Sequence, residues 1–232
     1  SVVIPAYNEA ERIGGTLDLV ISFLNRQSYL SEIIVVDDGS VDETVPIASG
    51  KLKSFPHRML RNLSNQGKGA AVKKGMLAAE GEYVIFSDAD MSTPIEEVSR
   101  FLDYLQNGKW DCVIGSRGLA GSRIEIRQSI FRETIGKIFN LLARGLSFHG
   151  ISDSQCGFKC FKSDVARDLF SRQRLKGFSF DAEILYLAQR SGYRILEAPV
   201  IWRNSPQSRV HLLRHSFQMF LDLLKIRRLH RS

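Results

Sequence analysis

The stretch Tyr83–Pro94 constrains this chain more than any other. Tyr83, Val84, Ile85 and Phe86 form a short apolar run rich in strand formers and too brief for a buried helix. The run then turns polar at Ser87, Asp88, Ala89 and Asp90. Thr93 is placed to cap a following helix, Pro94 suits its first turn, and Glu96 completes a capping box. A strand that hands two carboxylates to a helix start belongs at the ligand-binding edge of an open α/β sheet.

The same pattern recurs along the chain. Val2–Ile4 reads as a first strand ending in Pro5-Ala6-Tyr7-Asn8-Glu9. Asn8 and Glu11 then have capping-box spacing, and Ile13, Leu17, Val20, Ile21 and Leu24 recur at helical intervals. Ile33–Val36 is a second strand, ending in Asp37-Asp38-Gly39-Ser40, with Ser40 and Glu43 as its capping box. A weaker strand over His57–Leu60 precedes Asn65-Gln66-Gly67-Lys68-Gly69, which opens a helix running through Ala79. Ile95–Leu105 reads as a helix, and Cys112–Ile114 as a strand ending in Gly115-Ser116-Arg117. Ile130–Phe148 is a long amphipathic stretch whose simplest use is packing across the sheet. A strand near Phe158, helices near Asp164 and after Glu183, and a strand over Ile195–Ile201 follow, with Pro199 marking an edge or bulge. The expected fold class is α/β: a mostly parallel sheet flanked by helices, in one domain spanning 1–232. Residues 204–232 form a basic amphipathic C-terminal segment suited to covering the core or meeting an anionic bilayer.

The tips carry the candidate chemistry. With small Ala89 between them, Asp88 and Asp90 would point the same way on an extended tip and could share one divalent cation; the plain alternative is a solvated acidic turn. Asp37 or Asp38 could accept hydrogen bonds from a base or ribose, or merely stabilise a turn. Lys68, between Gly67 and Gly69, could meet a phosphate, although the loop is neither a Walker loop nor a dinucleotide fingerprint. Arg117 sits at the same edge, with Arg123 and Arg127 after it, and arginine clamps phosphate bidentately. Asp181 or Glu183 could act as a general base or only charge a helix N-terminus.

The totals narrow the classes. With 44% hydrophobic and 25% charged residues, the chain is a globular unit rather than a disordered one. Its net charge of +7 suits phosphorylated substrates, anionic lipid or nucleic acid. Aromatic and basic residues form no nucleic-acid reading module, so no nucleic-acid partner is expected. Cys112, Cys156 and Cys160 read as buried thiols rather than a disulfide framework or zinc site. No signal peptide and no apolar span near the roughly 20 residues of a membrane crossing is present. Ser1 precedes an apolar strand directly, which reads as a trimmed piece and leaves membrane anchors outside it open.

The ordered set Pro5-Ala6-Tyr7-Asn8-Glu9, Asp37-Asp38-Gly39-Ser40, Asn65-Gln66-Gly67-Lys68-Gly69, Asp88-Ala89-Asp90 and Gly115-Ser116-Arg117 resembles inverting family 2 glycosyltransferases. Asp153-Ser154-Gln155-Cys156-Gly157-Phe158-Lys159 and Phe180-Asp181-Ala182-Glu183 extend the resemblance over nearly the whole chain. More narrowly, the chain is similar to the dolichyl-phosphate β-glucosyltransferase branch of polyprenyl-phosphate sugar transferases. The resemblance implies a GT-A fold. It places Pro5, Tyr7, Glu9, Asp37, Asp38 and Lys68 on the nucleotide side, and Asp88-Ala89-Asp90 at the diphosphate. Asp88 and Asp90 would hold Mg²⁺ or Mn²⁺, with Ser92 a weak third ligand. Arg117, Arg127 and, less directly, Arg209 would meet the acceptor phosphate; Asp181 or Glu183 would position the acceptor. The implied donor is UDP-glucose and the implied acceptor a polyprenyl (dolichyl-type) phosphate, at a membrane surface with the active site facing the cytoplasm. The alternatives are transfer of mannose or another sugar, or a catalytically impaired nucleotide-sugar-binding regulator.

Overall fold

Each apolar run does become a strand, and each extends one or two residues into its polar tip. In the computed structural model these strands are β1 (Val2–Ala6), β2 (Ile33–Asp37), β3 (His57–Arg61), β4 (Tyr83–Ser87) and β5 (Cys112–Ser116). The extension follows from parallel pairing: Ala6 lies opposite Asp37, and Asp37 opposite Arg61, so the ladder carries the polar residues into the sheet. The structure describes residues 1–126, 134, 140–143, 145, 148–203 and 212–231. Arg127, Arg209 and most of the 130–148 stretch lie outside the described residues.

Helices alternate with the strands: α1 (Ile13–Leu24), α2 (Thr44–Leu52), α3 (Lys68–Ala78) and α4 (Glu97–Gln106). Later come β6 (Arg123–Ile126), β7 (Phe158–Lys162), α5 (Ser163–Arg172), α6 (Phe180–Arg190), β8 (Ile195–Pro199), β9 (Ile201–Arg203) and α7 (Leu212–Leu229). The main sheet has seven strands in the order β3-β2-β1-β4-β7-β5-β8. All are parallel except β7, which runs antiparallel between β4 and β5. This is the expected GT-A arrangement. The strand expected over Ile195–Ile201 divides at Val200: β8 closes the edge of the main sheet with Pro199 as its last residue, and β9 pairs with β6.

Alternation sends successive strand residues to opposite faces. Val2, Ile4, Ile33 and Val35 pack under α1 and α4 with Leu17, Val20 and Phe101. Val3, Ile34 and Val36 pack under α3, α5 and α6 with Val72, Leu169 and Phe180. Covering both faces explains why these strands read as continuous apolar runs. The C-terminal helix docks through Leu223 and Ile226 against Ala182 and Leu185 of α6, while Leu224 and Leu229 face outward. Cys112, Cys156 and Cys160 are buried thiols.

The three expected capping boxes do not form; α1, α2 and α4 start without a side-chain cap. Their polar groups serve tertiary bonds instead. The Asn8 amide donates to Ser40 Oγ (2.9 Å), the Val41 amide donates to Asn8 Oδ1 (2.9 Å), and Thr93 Oγ1 lies 3.8 Å from Cys156 Sγ. Local spacing suggested caps, and the neighbouring loop competed for the same oxygens.

Candidate active site

Parallel β1, β2 and β4 deliver their C-terminal tips to one edge, and hydrogen bonds lock the first two tips together. The Glu9 amide donates to Thr44 Oγ1 (2.7 Å), and the Asp38 amide to the Ala6 carbonyl (2.8 Å). Glu9 also receives Arg12 through Nε and Nη2, both at 2.6 Å. Pro5 lies within β1 opposite Val36, and Tyr7 is exposed at its tip. Asp37 is buried and accepts hydrogen bonds from the Ser40 amide (3.0 Å) and Arg61 Nε (3.1 Å). Asp38 is equally buried, but it holds the glycine loop: Asn62 Nδ2 (2.7 Å) and the amides of Gln66 (3.0 Å) and Gly67 (2.8 Å) all donate to it. Asp38 thereby fixes the position of Lys68, the first residue of α3.

The acidic tip is a turn rather than an extended strand end. The Met91 amide donates to the Asp88 carbonyl (3.2 Å), and Met91 takes a left-handed φ of 47°. Thr16 Oγ1, from α1, donates to the Ala89 carbonyl at 2.6 Å, and the Asp88 amide donates to the Gly157 carbonyl at 3.1 Å. The two carboxylates still share one site. Burial pushes the Asp90 carboxyl up, the Asp88 charge pushes it further, and the Ser92 amide donating to Asp90 Oδ1 (2.9 Å) pulls the other way. Ser92 thus supports Asp90 through both its amide and its side chain. Gly157 leaves room for the carboxylate: a Cβ on it would lie 2.0 Å from Asp88 Oδ2 and force that side chain to shift.

Lys68 Nζ lies 2.6 Å from Asp88 Oδ1, a buried oxygen that, among the described residues, no hydrogen-bond donor other than this ammonium reaches. Burial works to lower the Lys68 pKa, but the charges of Asp88 and Asp181 outweigh it and raise it, so the ammonium stays charged. A hard divalent cation fits this donor set, since it takes carboxylate oxygens and keeps waters and phosphates as its other ligands. Among the described residues no three His, Cys, Asp or Glu side chains converge on a metal position. Asp88 and Asp90, whose charges act on each other at this tip, are the carboxylates that would hold it.

Asp181 and Glu183 part company, as two helix positions two residues apart do, since they point to different faces. Asp181 faces the acidic tip and pairs with Lys159 Nζ at 2.5 Å. Lys159 is fully buried, donates also to the Cys156 carbonyl (2.7 Å), and sits 5.2 Å from the Phe86 ring centroid. Burial pushes the Asp181 carboxyl up, against the pull of Lys159 and Lys68. Glu183 joins a different set of groups. It accepts the amides of Arg174 (2.9 Å) and Leu175 (2.8 Å) and contacts His230 Nε2 (2.6 Å), tying the segment before α6 to the C-terminus.

On the far side of β7, Arg117 is held rather than loose. Its Nε and Nη2 donate to Asp153 at 2.6 and 2.8 Å, and its guanidinium lies 5.4 Å from the Trp202 ring centroid. Burial alone would raise the Asp153 carboxyl, but Arg117 holds it at about 2. Glu197 accepts the amides of Ser152 (2.9 Å) and Asp153 (2.8 Å) and orients the turn that presents Asp153. Arg117 thus reaches this edge with its orientation set, while Arg127 and Arg209 lie outside the described residues.

The motif Asp153–Lys159 contains Asp153, Gly157 and Lys159 but assigned them no role, and Thr16, Glu197 and Trp202 lie outside every motif. Lys159 left the clearest trace: a lysine inside the apolar run Phe158, Cys160, Phe161 needs a buried partner. The others depend on contacts between distant segments.

The family model of glycosyl transferase family 2 matches residues 1–170. Dolichyl-phosphate β-glucosyltransferase of Dictyostelium discoideum is 36% identical over 239 residues, covering 98% of this chain and 73% of that protein. The Homo sapiens protein of the same name is 34% identical over 240 residues, covering 98% and 74%. Among solved structures, Mycobacterium tuberculosis glucosyl-3-phosphoglycerate synthase with Mn²⁺, uridine diphosphate and glucosyl-3-phosphoglycerate superposes with a TM-score of 0.68. At 20% identity, covering 97% of this chain and 77% of that one, it shows the shared fold. With its mixed sheet, its tips gathered at one edge and a family match over most of its length, the chain is a glycosyltransferase of family 2 with a GT-A fold.

Proposed function

We propose that this glycosyltransferase moves glucose from UDP-glucose to a polyprenyl (dolichyl-type) phosphate with inversion, using Mg²⁺ or Mn²⁺. The observation that carries the reading is the 36% identity to a dolichyl-phosphate β-glucosyltransferase along 98% of the chain. The acidic tip supports it with the chemistry a nucleotide-sugar donor requires.

Asp88 and Asp90 hold the cation against the donor diphosphate. When bound, the cation supplies positive charge to the leaving nucleoside diphosphate. Asp37, Tyr7 and Glu9 line the nucleotide end of the crevice, and Lys68 meets the diphosphate. An acceptor phosphate oxygen attacks the anomeric carbon from the face opposite the leaving group. The new carbon–oxygen bond forms as the bond to the diphosphate oxygen breaks, and the electron pair leaves with UDP. The acceptor is already an anion near neutral pH, so no group must remove its proton. Asp181, held by Lys159, positions rather than deprotonates. Arg117 has Nε and Nη2 turned to Asp153, so its Nη1 side meets the acceptor phosphate, with Arg127 and Arg209 as further candidates.

No helix among the described residues is long and apolar enough to cross a membrane. In this reading the outward face of α7, with Leu224, Leu229, Arg227 and Arg228, meets an anionic bilayer, and the active site faces the cytoplasm. The deciding experiment supplies Mn²⁺, polyprenyl phosphate in vesicles and a panel of sugar nucleotides, and detects lipid-linked sugar by mass spectrometry. Product from UDP-glucose alone is expected. Product from GDP-mannose would replace the sugar, and donor binding without any product would replace the enzyme reading with a nucleotide-sugar-binding regulator.

A further inference from the structure

Two cations already serve the carboxylates of this site, and they are not equivalent. Lys159 is fully buried on the central strand β7 and cannot leave without opening the sheet. Lys68 begins α3, and its side chain keeps 20% of its surface exposed. A four-carbon stem with a compact ammonium can swing to another partner from such a place. Its present partner is the Asp88 oxygen that no other donor among the described residues reaches, at 2.6 Å. A divalent cation held by Asp88 and Asp90 would compete with Lys68 for that carboxylate.

An ammonium at 2.6 Å and a dication cannot both use Asp88 Oδ1 without strong repulsion at close range. The dication therefore requires Lys68 to move, and Lys68 moves at least cost when an anion receives it. The donor supplies that anion: its diphosphate carries negative oxygens to the same edge. Asp38 strengthens the device by fixing the loop from which Lys68 projects, so that the ammonium is returned to Asp88 when the donor leaves.

We infer that Lys68 is an internal counter-ion that occupies the metal position until a nucleoside diphosphate displaces it, which makes cation and nucleotide bind as a coupled pair. The inference rests on the metal-dependent reading above. It assigns Lys68 a role at the cation site as well as at the diphosphate. Coupling of this kind is reciprocal: the nucleotide tightens the cation by the factor by which the cation tightens the nucleotide.

The test titrates Mn²⁺ into the full chain, with free Mn²⁺ read by electron paramagnetic resonance, without nucleotide and with saturating UDP. Wild type is expected to bind Mn²⁺ weakly alone and about 10- to 100-fold more tightly with UDP, within the usual range of coupling between sites. Lys68→Gln is expected to tighten Mn²⁺ binding to the free protein by about tenfold and to shrink the UDP effect by at least that factor. Lys68→Arg keeps the charge and should keep the coupling. Unchanged or weaker Mn²⁺ binding to free Lys68→Gln overturns the inference, and so does a wild-type UDP effect near onefold, which needs no variant. If wild type binds UDP but no Mn²⁺ in either condition, the metal-dependent reading itself falls and takes the inference with it.

Discussion

Two lysine–aspartate pairs stand side by side in this site and behave as different devices. Lys159–Asp181 and Lys68–Asp88 have nearly equal contacts, 2.5 and 2.6 Å. Their side chains differ in exposure: 0% and 3% in the first pair, 20% and 32% in the second. Contact distance therefore says little about what an ion pair is for. A fully desolvated pair must stay together because either charge alone is intolerable in the interior, whereas a partly solvated pair can exchange partners. One pair belongs to the scaffold and the other can take part in binding.

The sharpest way to break this contrast is Lys159→Met. It leaves the buried Asp181 carboxyl without the partner that offsets its burial, and should cost about 3–5 kcal/mol in chemical denaturation. The double variant Lys159→Met/Asp181→Leu should recover most of that loss, because two apolar side chains leave no orphaned charge. A single-variant loss comparable to that of an exposed lysine would erase the distinction.

Gly157→Ala comes next. Its new methyl would have to displace the Asp88 carboxylate, 2.0 Å away, costing about 1–3 kcal/mol of stability and abolishing UDP-linked Mn²⁺ binding. Retained Mn²⁺ binding at wild-type affinity would show that Asp88 is not a ligand.

Arg117→Ala extends the comparison to a third ion pair of the site, half of it buried. In the folded protein Asp153 titrates at about 2, below its ordinary value of 3.8. The pair's stabilisation is therefore complete above pH 4 and is lost as pH falls from there through 2. Removing Arg117 should flatten stability against pH in that window, and should impair use of the polyprenyl phosphate far more than UDP binding. Equal loss of donor and acceptor binding would remove Arg117 from the acceptor side. The smallest effect belongs to Lys68→Gln, which should change stability by under about 1 kcal/mol, because its pair is partly solvated. A loss approaching that of Lys159→Met would make Lys68 part of the scaffold.

The gathering of these strand tips at one edge was largely legible in the sequence. Strand, polar tip and helix follow each other within a dozen residues or so, and parallel pairing then needs only to align them. Asp37, Lys68, Asp88 and Asp90 come together for that reason. The capping boxes misled because spacing cannot say whether Asn8 or Ser40 will bond to its own helix or to the neighbouring tip; the structure chose the neighbour. Asp181 and Glu183 looked interchangeable in sequence, and the helix turned one to the acidic tip and the other to Arg174, Leu175 and His230.

What the sequence determined by itself was local: apolar runs that must be strands buried on both faces, helix-period segments between them, and carboxylates at the strand ends. These follow from side-chain periodicity and burial, which act over a few residues. What only the tertiary structure decided was long-range. β7 returns antiparallel into the middle of the sheet and carries Lys159 under the acidic tip, 22 residues from its partner Asp181. Thr16 reaches Ala89 across 73 residues, and Arg117 reaches Asp153 across 36. Such partners are selected by which charges and hydrogen-bond donors packing buries together, and no local pattern specifies that.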